Sequence, residues 1–133
     1  MPALSRWFIR TALLELLAGF CIGAAMLATR GPALAPWTAA WLPLHVELLV
    51  FGWLANLTLG VAHWMLPKHA AGPERGHPAP VALAWALLNG GVLLAGARLA
   101  PVAGRSAELA GVLLFVSQAW PRVKAFGAGR GMG

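Results

Sequence analysis

Five polar side chains sit where the sequence is otherwise almost wholly apolar: His45, Glu47, Asn56, Thr58 and His63, within WLPLHVELLVFGWLANLTLGVAHWMLP at residues 41–67. The stretch has the length needed to cross the hydrocarbon core of a bilayer as a helix. Polar and ionisable groups are costly there, so each is a candidate for function. On an α-helix, residues three, four and seven apart share a face. His45 therefore aligns with Leu49, Gly52, Asn56, Gly60 and His63, whereas Glu47 and Thr58 point elsewhere. At a rise of ~1.5 Å per residue the two histidines lie ~27 Å apart, so they cannot ligate one metal ion or one haem together. Gly52, Asn56 and Gly60 form a groove of small residues, which admits either a close-packed helix or a flat cofactor.

The chemistry open to these residues is limited. The chain has no CxxC, no HExxH and no glycine loop fit to cradle phosphate. A neutral imidazole in a membrane helix is a credible ligand for haem iron, and His45 beside the groove is the best candidate. The plainer reading is a histidine that hydrogen-bonds a neighbouring helix. His63 adjoins Trp64 at a span end, where amphipathic rings anchor helices, and His69 and His77 fall in a loop. A second polar line runs along residues 8–28 through Glu15, Gly19, Gly23 and Met26, and a third through Glu108, Gly111 and Gln118. Arg98 and Arg105 fall at the level of Glu47 and Glu108, which makes ion pairing there an expectation.

The elements that hold these residues follow from composition. Of 133 residues, 59% are hydrophobic and only 11% charged. With a mean hydropathy of +0.72, this is the make-up of a polytopic membrane protein, since soluble domains carry about 25% charged residues. The net charge of +6 is spread over the ends of apolar segments rather than gathered on one face, which argues against nucleic acid as a partner. The single cysteine, Cys21, excludes an internal disulfide. Four spans are expected, at about 8–28, 42–66, 80–99 and 106–121, as an all-α bundle forming one domain over 1–133, with a flexible tail from 122 to 133. The N-terminal run is long for a signal peptide and lacks a convincing cleavage site, so it counts as the first helix. Pro43 falls in the first turn of the second helix, and Asn89-Gly90-Gly91 interrupts the third. Trp7, Trp37, Trp41, Trp64 and Trp120 fall near span ends, whereas Trp53 and Trp85 lie inside and serve packing. With the N-terminus inside, Arg6, Arg10, Lys68, Arg75, Arg122, Lys124 and Arg130 lie on the inner side and Arg30, Arg98 and Arg105 on the outer. That imbalance places both termini in the cytoplasm of a multi-pass inner-membrane protein.

The run HVELLVFGWLANLTLGVAHWMLP resembles the second helix of the catalytic subunit of haem-copper oxidases and nitric oxide reductases, through His45, Gly52-Trp53, Gly60 and Leu66-Pro67 in that order. It also resembles small four-helix membrane proteins associated with nitric oxide reductase. The resemblance covers about 25 residues well and the rest in layout only. It implies that His45 matches the axial histidine of a low-spin haem b near the outer face. The groove residues Gly52 and Asn56 would then lie beside the haem, and the second ligand would come from Met26, a symmetry mate or a partner. The family draws its other ligands from later helices, which this chain ends before, so the expectation is not an enzyme. It is instead a haem b protein for electron transfer or gas sensing, a homo-oligomer or respiratory-complex subunit. The alternative is a cofactor-free accessory or assembly subunit of a reductase or terminal oxidase.

Overall fold

A computed structural model describes residues 1–28, 35–68, 75 and 77–123, and among these the chain is all helical with no strand. The first rod is α1 (Ala3–Ala28). The second runs through α2 (Ala35–Glu47), a π-helical segment (Leu48–Ala55) and α3 (Asn56–Met65). The third and fourth are α4 (Pro78–Gly96) and α5 (Pro101–Ala119), and a short 3₁₀ turn over Trp120–Arg122 follows. The first three rods are long and apolar enough to cross a membrane.

Close approaches at glycines define how the rods pack. Between the first two rods, Gly60 lies against Phe8 and Ile9, Gly52 against Glu15, Gly19 against Leu49 and Gly23 against His45. Ascending numbers on one rod meet descending numbers on the other, so the two are antiparallel. The same reasoning makes the second rod antiparallel to α4, through Gly96 on Leu44 and Glu47 and through the Asn56–Asn89 contact. It also makes α4 antiparallel to α5, where Gly91 meets Gly104 and Glu108, and Gly111 meets Ala84 and Leu88. Phe8, Val81, Ala84, Leu88 and Phe115 form the buried apolar centre, with Phe8 and Phe115 edge to face.

Three local expectations change. The second rod starts at Ala35, so Pro43 is inside a helix rather than in its first turn. Pro36 takes the early position, where a missing N–H leaves no hydrogen bond unmade. The third helix is not interrupted at Asn89-Gly90-Gly91. Gly91 is there for proximity: a Cβ would lie 2.7 Å from the Gly104 carbonyl oxygen. The tail cannot begin at residue 122, because Arg122 is 1% exposed and hydrogen-bonded to the second rod. The rest of the expected tail, 124–133, lies outside the described residues, as does most of the 67–79 loop.

The α4–α5 contact yields a test. A Cβ on Gly104 would sit 2.6 Å from the Ala95 backbone nitrogen, whereas one on Gly90 meets nothing within 4 Å. Gly104→Ala should destabilise the protein by about 1–3 kcal/mol through overpacking. Gly90→Ala should be neutral or slightly stabilising, because it removes a flexible residue from a helix interior. Unfolding of both variants in detergent, followed by circular dichroism, checks the contrast.

Candidate functional site

Most of the buried polar groups of the first two rods gather into three places, and Glu47 pairs instead with Arg105 of α5. The first is centred on His45. Its Nδ1 lies 2.8 Å from the carbonyl oxygen of Gly19. A carbonyl only accepts, so Nδ1 carries the proton and donates. The lone pair of the neutral ring is then on Nε2. The ring lies so close over Gly23 that a Cβ there would be 2.6 Å from Cε1. Gly19 and Gly23, one turn apart on α1, thus supply an acceptor and the space the imidazole needs. Among the described residues nothing hydrogen-bonds Nε2. His45 lines a pocket of about 520 Å³ with Met26, Phe20, Gly23, Leu42 and Leu49. That volume falls within the ~300–1,000 Å³ usual for small-molecule and cofactor sites.

The second place is a buried amide cluster deeper in the bundle. Asn56 is fully buried, and its Nδ2 lies 2.7 Å from the Gly52 carbonyl, 3.0 Å from Glu15 Oε2 and 2.9 Å from Asn89 Oδ1. Asn89 in turn donates through Nδ2 to the Trp85 carbonyl, and Trp85 Nε1 donates to Thr11 Oγ1. This chain of bonds joins the first three rods. It also has a local consequence. The Asn56 backbone N–H goes to the Trp53 carbonyl, while the Asn56 side chain takes the Gly52 carbonyl that an ordinary α-turn would have matched to it. A side chain inserted into the backbone ladder at that point accompanies the end of the π-helical segment.

The third place is the far end of the second rod. Arg122 donates to the carbonyls of His63 at 2.9 Å, Leu66 at 2.8 Å and Pro67 at 2.9 Å, and its Nη1 faces His63 Nδ1 at 3.4 Å. Arg75 donates to the carbonyls of Trp64 and His63. Two guanidinium groups therefore satisfy the carbonyls left open where α3 ends. His63 Nδ1 faces a group that only donates, so its lone pair is engaged and its proton is on Nε2. The two histidines have opposite tautomers. Of these two, His45 alone keeps a ring lone pair that no described residue engages.

No family model, curated protein or solved structure matches this chain. The site must be read from its own geometry. Of the four residues that sequence reasoning placed at a cofactor, His45 and Met26 share the pocket, whereas Gly52 and Asn56 do not line it. Gly52 is covered by Glu15, and Asn56 is committed to Glu15 and Asn89. Among the described residues no group of three or more His, Cys, Asp or Glu side chains could hold a metal ion. Any metal at His45 would need most of its ligands from another source, such as a macrocycle. Sequence reasoning missed the partnership of Asn56 with Asn89 and the capping role of Arg122. An asparagine within an apolar helix is itself the signal for the first. The second joins residues 55 or more apart, and no local pattern marks it.

Asn56→Ala should lower stability by about 1–3 kcal/mol, because it leaves the Gly52 carbonyl, Glu15 and Asn89 without their common donor. Denaturation in detergent, compared with the exposed control Thr58→Ala, measures that loss.

Proposed function

We propose that this protein is an integral membrane haem b protein, an electron carrier or gas sensor rather than an enzyme, with His45 as a ligand to the haem iron. The carrying observation is the Gly19 carbonyl on His45 Nδ1, which leaves the Nε2 lone pair beside an apolar pocket. Haem-ligating histidines need that arrangement: one ring nitrogen donates to a carbonyl, which fixes the ring and raises its basicity, and the other meets the metal. The residues present fit the group in two further respects. Gly23 leaves room for the ring where a larger residue would displace it, and Gly19 supplies the carbonyl that orients it. The lining beyond His45 is chiefly apolar, with Phe20, Leu42 and Leu49 suited to a macrocycle's face and Met26 a second soft donor at the same pocket. When bound, haem would supply reversible one-electron exchange or gas binding at its iron. The chain itself would orient the imidazole through Gly19, exclude water and hold the group through the apolar side chains that line the pocket.

The resemblance to the second helix of haem-copper oxidases and nitric oxide reductases supports the same histidine. The charge distribution supports four spans with both termini on the cytoplasmic side of the inner membrane and His45 near the outer face. A single imidazole at the pocket among the described residues favours a homo-oligomer or a place beside a respiratory reductase or oxidase, which would complete the coordination. The accessory-subunit reading has less support. The small-residue face it would use against a partner is already covered by Glu15 and Phe8 of the same chain.

Protein expressed with added haem and purified in detergent should show a Soret band that is lost in His45→Ala, weakened in Gly23→Leu and kept in His63→Ala. A wild type without the band, or a His45→Ala spectrum like the wild type's, would refute the reading. For orientation, alkaline phosphatase fused after Arg98 should be active and after Lys68 inactive.

A further inference from the structure

The amide cluster at the middle of the bundle contains an acid that the haem site does not use. Glu15 stands halfway along α1 and is 9% exposed. It lies against Gly52 of the second rod, where a Cβ would be 2.9 Å from its Cδ and 3.1 Å from Oε1. Its Oε2 accepts from Asn56 Nδ2 at 3.0 Å, and among the described residues Oε1 accepts nothing. An ionisable group at such a depth in a span is a candidate for function.

Asn56 cannot commit its hydrogens to this acid. Nδ2 carries two, and three acceptors converge on it: Glu15 Oε2, the Gly52 carbonyl at 2.7 Å and Asn89 Oδ1 at 2.9 Å. Turning the Asn56 amide over would set its oxygen against the Gly52 carbonyl, and turning Asn89 over would set two NH₂ groups together. The carboxyl therefore receives at most a share of one N–H.

No charge stands opposite it either. Arg10 of α1 is exposed, and α4 has no ionisable side chain in PAPVALAWALLNGGVLLAG. The second rod offers His45, ~10 Å along the helix at Gly19 and Gly23, Glu47, which pairs with Arg105, and His63, which faces Arg122. The rest of the chain joins these rods at Ala28, Ala35, Lys68 and His77. Each junction is ~18 Å or more of helix from Glu15, Asn56 or Asn89 on the same rod. A buried carboxylate with so little to hold its charge takes up a proton instead.

We propose that Glu15 is a proton-binding site inside the bundle, taking a proton from water onto Oε1 and returning it there. Asn56 then holds Oε2 as the carbonyl oxygen. The enclosed oxygens without partners are those of Ser5, Glu47 and Glu108, and Glu15 Oε1 is not among them, which leaves the proton a way out. Glu15 does not line the pocket of His45, and the site stands independently of the haem reading.

Infrared spectroscopy of the purified protein in detergent at neutral pH tests this directly. The wild type should carry a protonated-carboxyl C=O band that Glu15→Gln removes. Asn56→Ala should move that band to higher frequency, because the C=O loses its donor. Heavy water should move it to lower frequency as deuterium replaces the proton. Glu15→Asp should shift the band rather than remove it, and serves if Glu15→Gln does not fold. A wild type without the band, a band unchanged in both Glu15 variants, or one indifferent to heavy water would overturn the site. So would a Glu15 carboxylate signal that responds to added sodium, which would make the occupant a metal cation.

Discussion

The second rod is long and apolar enough to cross a membrane, and in hydrocarbon its polar groups would have no partner outside the bundle. The hydrogen bonds made inside it are therefore the constraint on which the packing depends. Each polar group sequence reasoning singled out there, apart from Thr58, is met by a different neighbour. His45 and Asn56 turn to α1, Asn56 also to α4, Glu47 to α5, and His63 to Arg122 at the end of α5. Thr58 bonds only its own helix, at the Leu54 carbonyl. The second rod is therefore the common member of nearly all the polar contacts between helices. Glycines then set the distances: Gly19, Gly23, Gly52 and Gly60 bring α1 close enough for those bonds to form.

Within that frame the two histidines differ through their partners rather than their chemistry. A carbonyl at His45 Nδ1 and a guanidinium at His63 Nδ1 assign opposite tautomers to identical side chains. One ring is finished as a structural element, and the other has a lone pair left over beside an apolar pocket. The same accounting, applied to the acids, leaves two enclosed oxygens over on Glu47 and Glu108.

Much of this was legible in the chain itself. Helical periodicity placed His45, Gly52 and Asn56 on one face and Glu47 on another, and Arg105 does pair with Glu47 and Glu108. The line Glu15, Gly19, Gly23 and Met26 on α1 meets the second rod as its spacing suggests. What the periodicity left open was whether the small-residue groove takes a cofactor or a helix. That depends on which rod packs beside it, a long-range outcome, and α1 covers Gly52 and Gly60. The start of the second rod at Ala35 was missed because Pro43 suggests a first turn, whereas Pro36 serves that role equally well. Asn89-Gly90-Gly91 looked like a break because glycine is a poor helix former. The close approach of α5 to Gly91 is the tertiary reason it stands inside one.

The claim on which this account rests is that the Gly19 carbonyl holds His45 with its proton on Nδ1 and its lone pair on Nε2. Nitrogen-15 magnetic resonance of protein labelled at histidine, assigned by comparison with His45→Gln, reports the two nitrogens separately. A protonated Nδ1 and an unprotonated Nε2, with Nε2 alone shifting when haem is added, is the predicted result. A His45 protonated on Nε2, or one whose Nε2 signal is indifferent to haem, would contradict it.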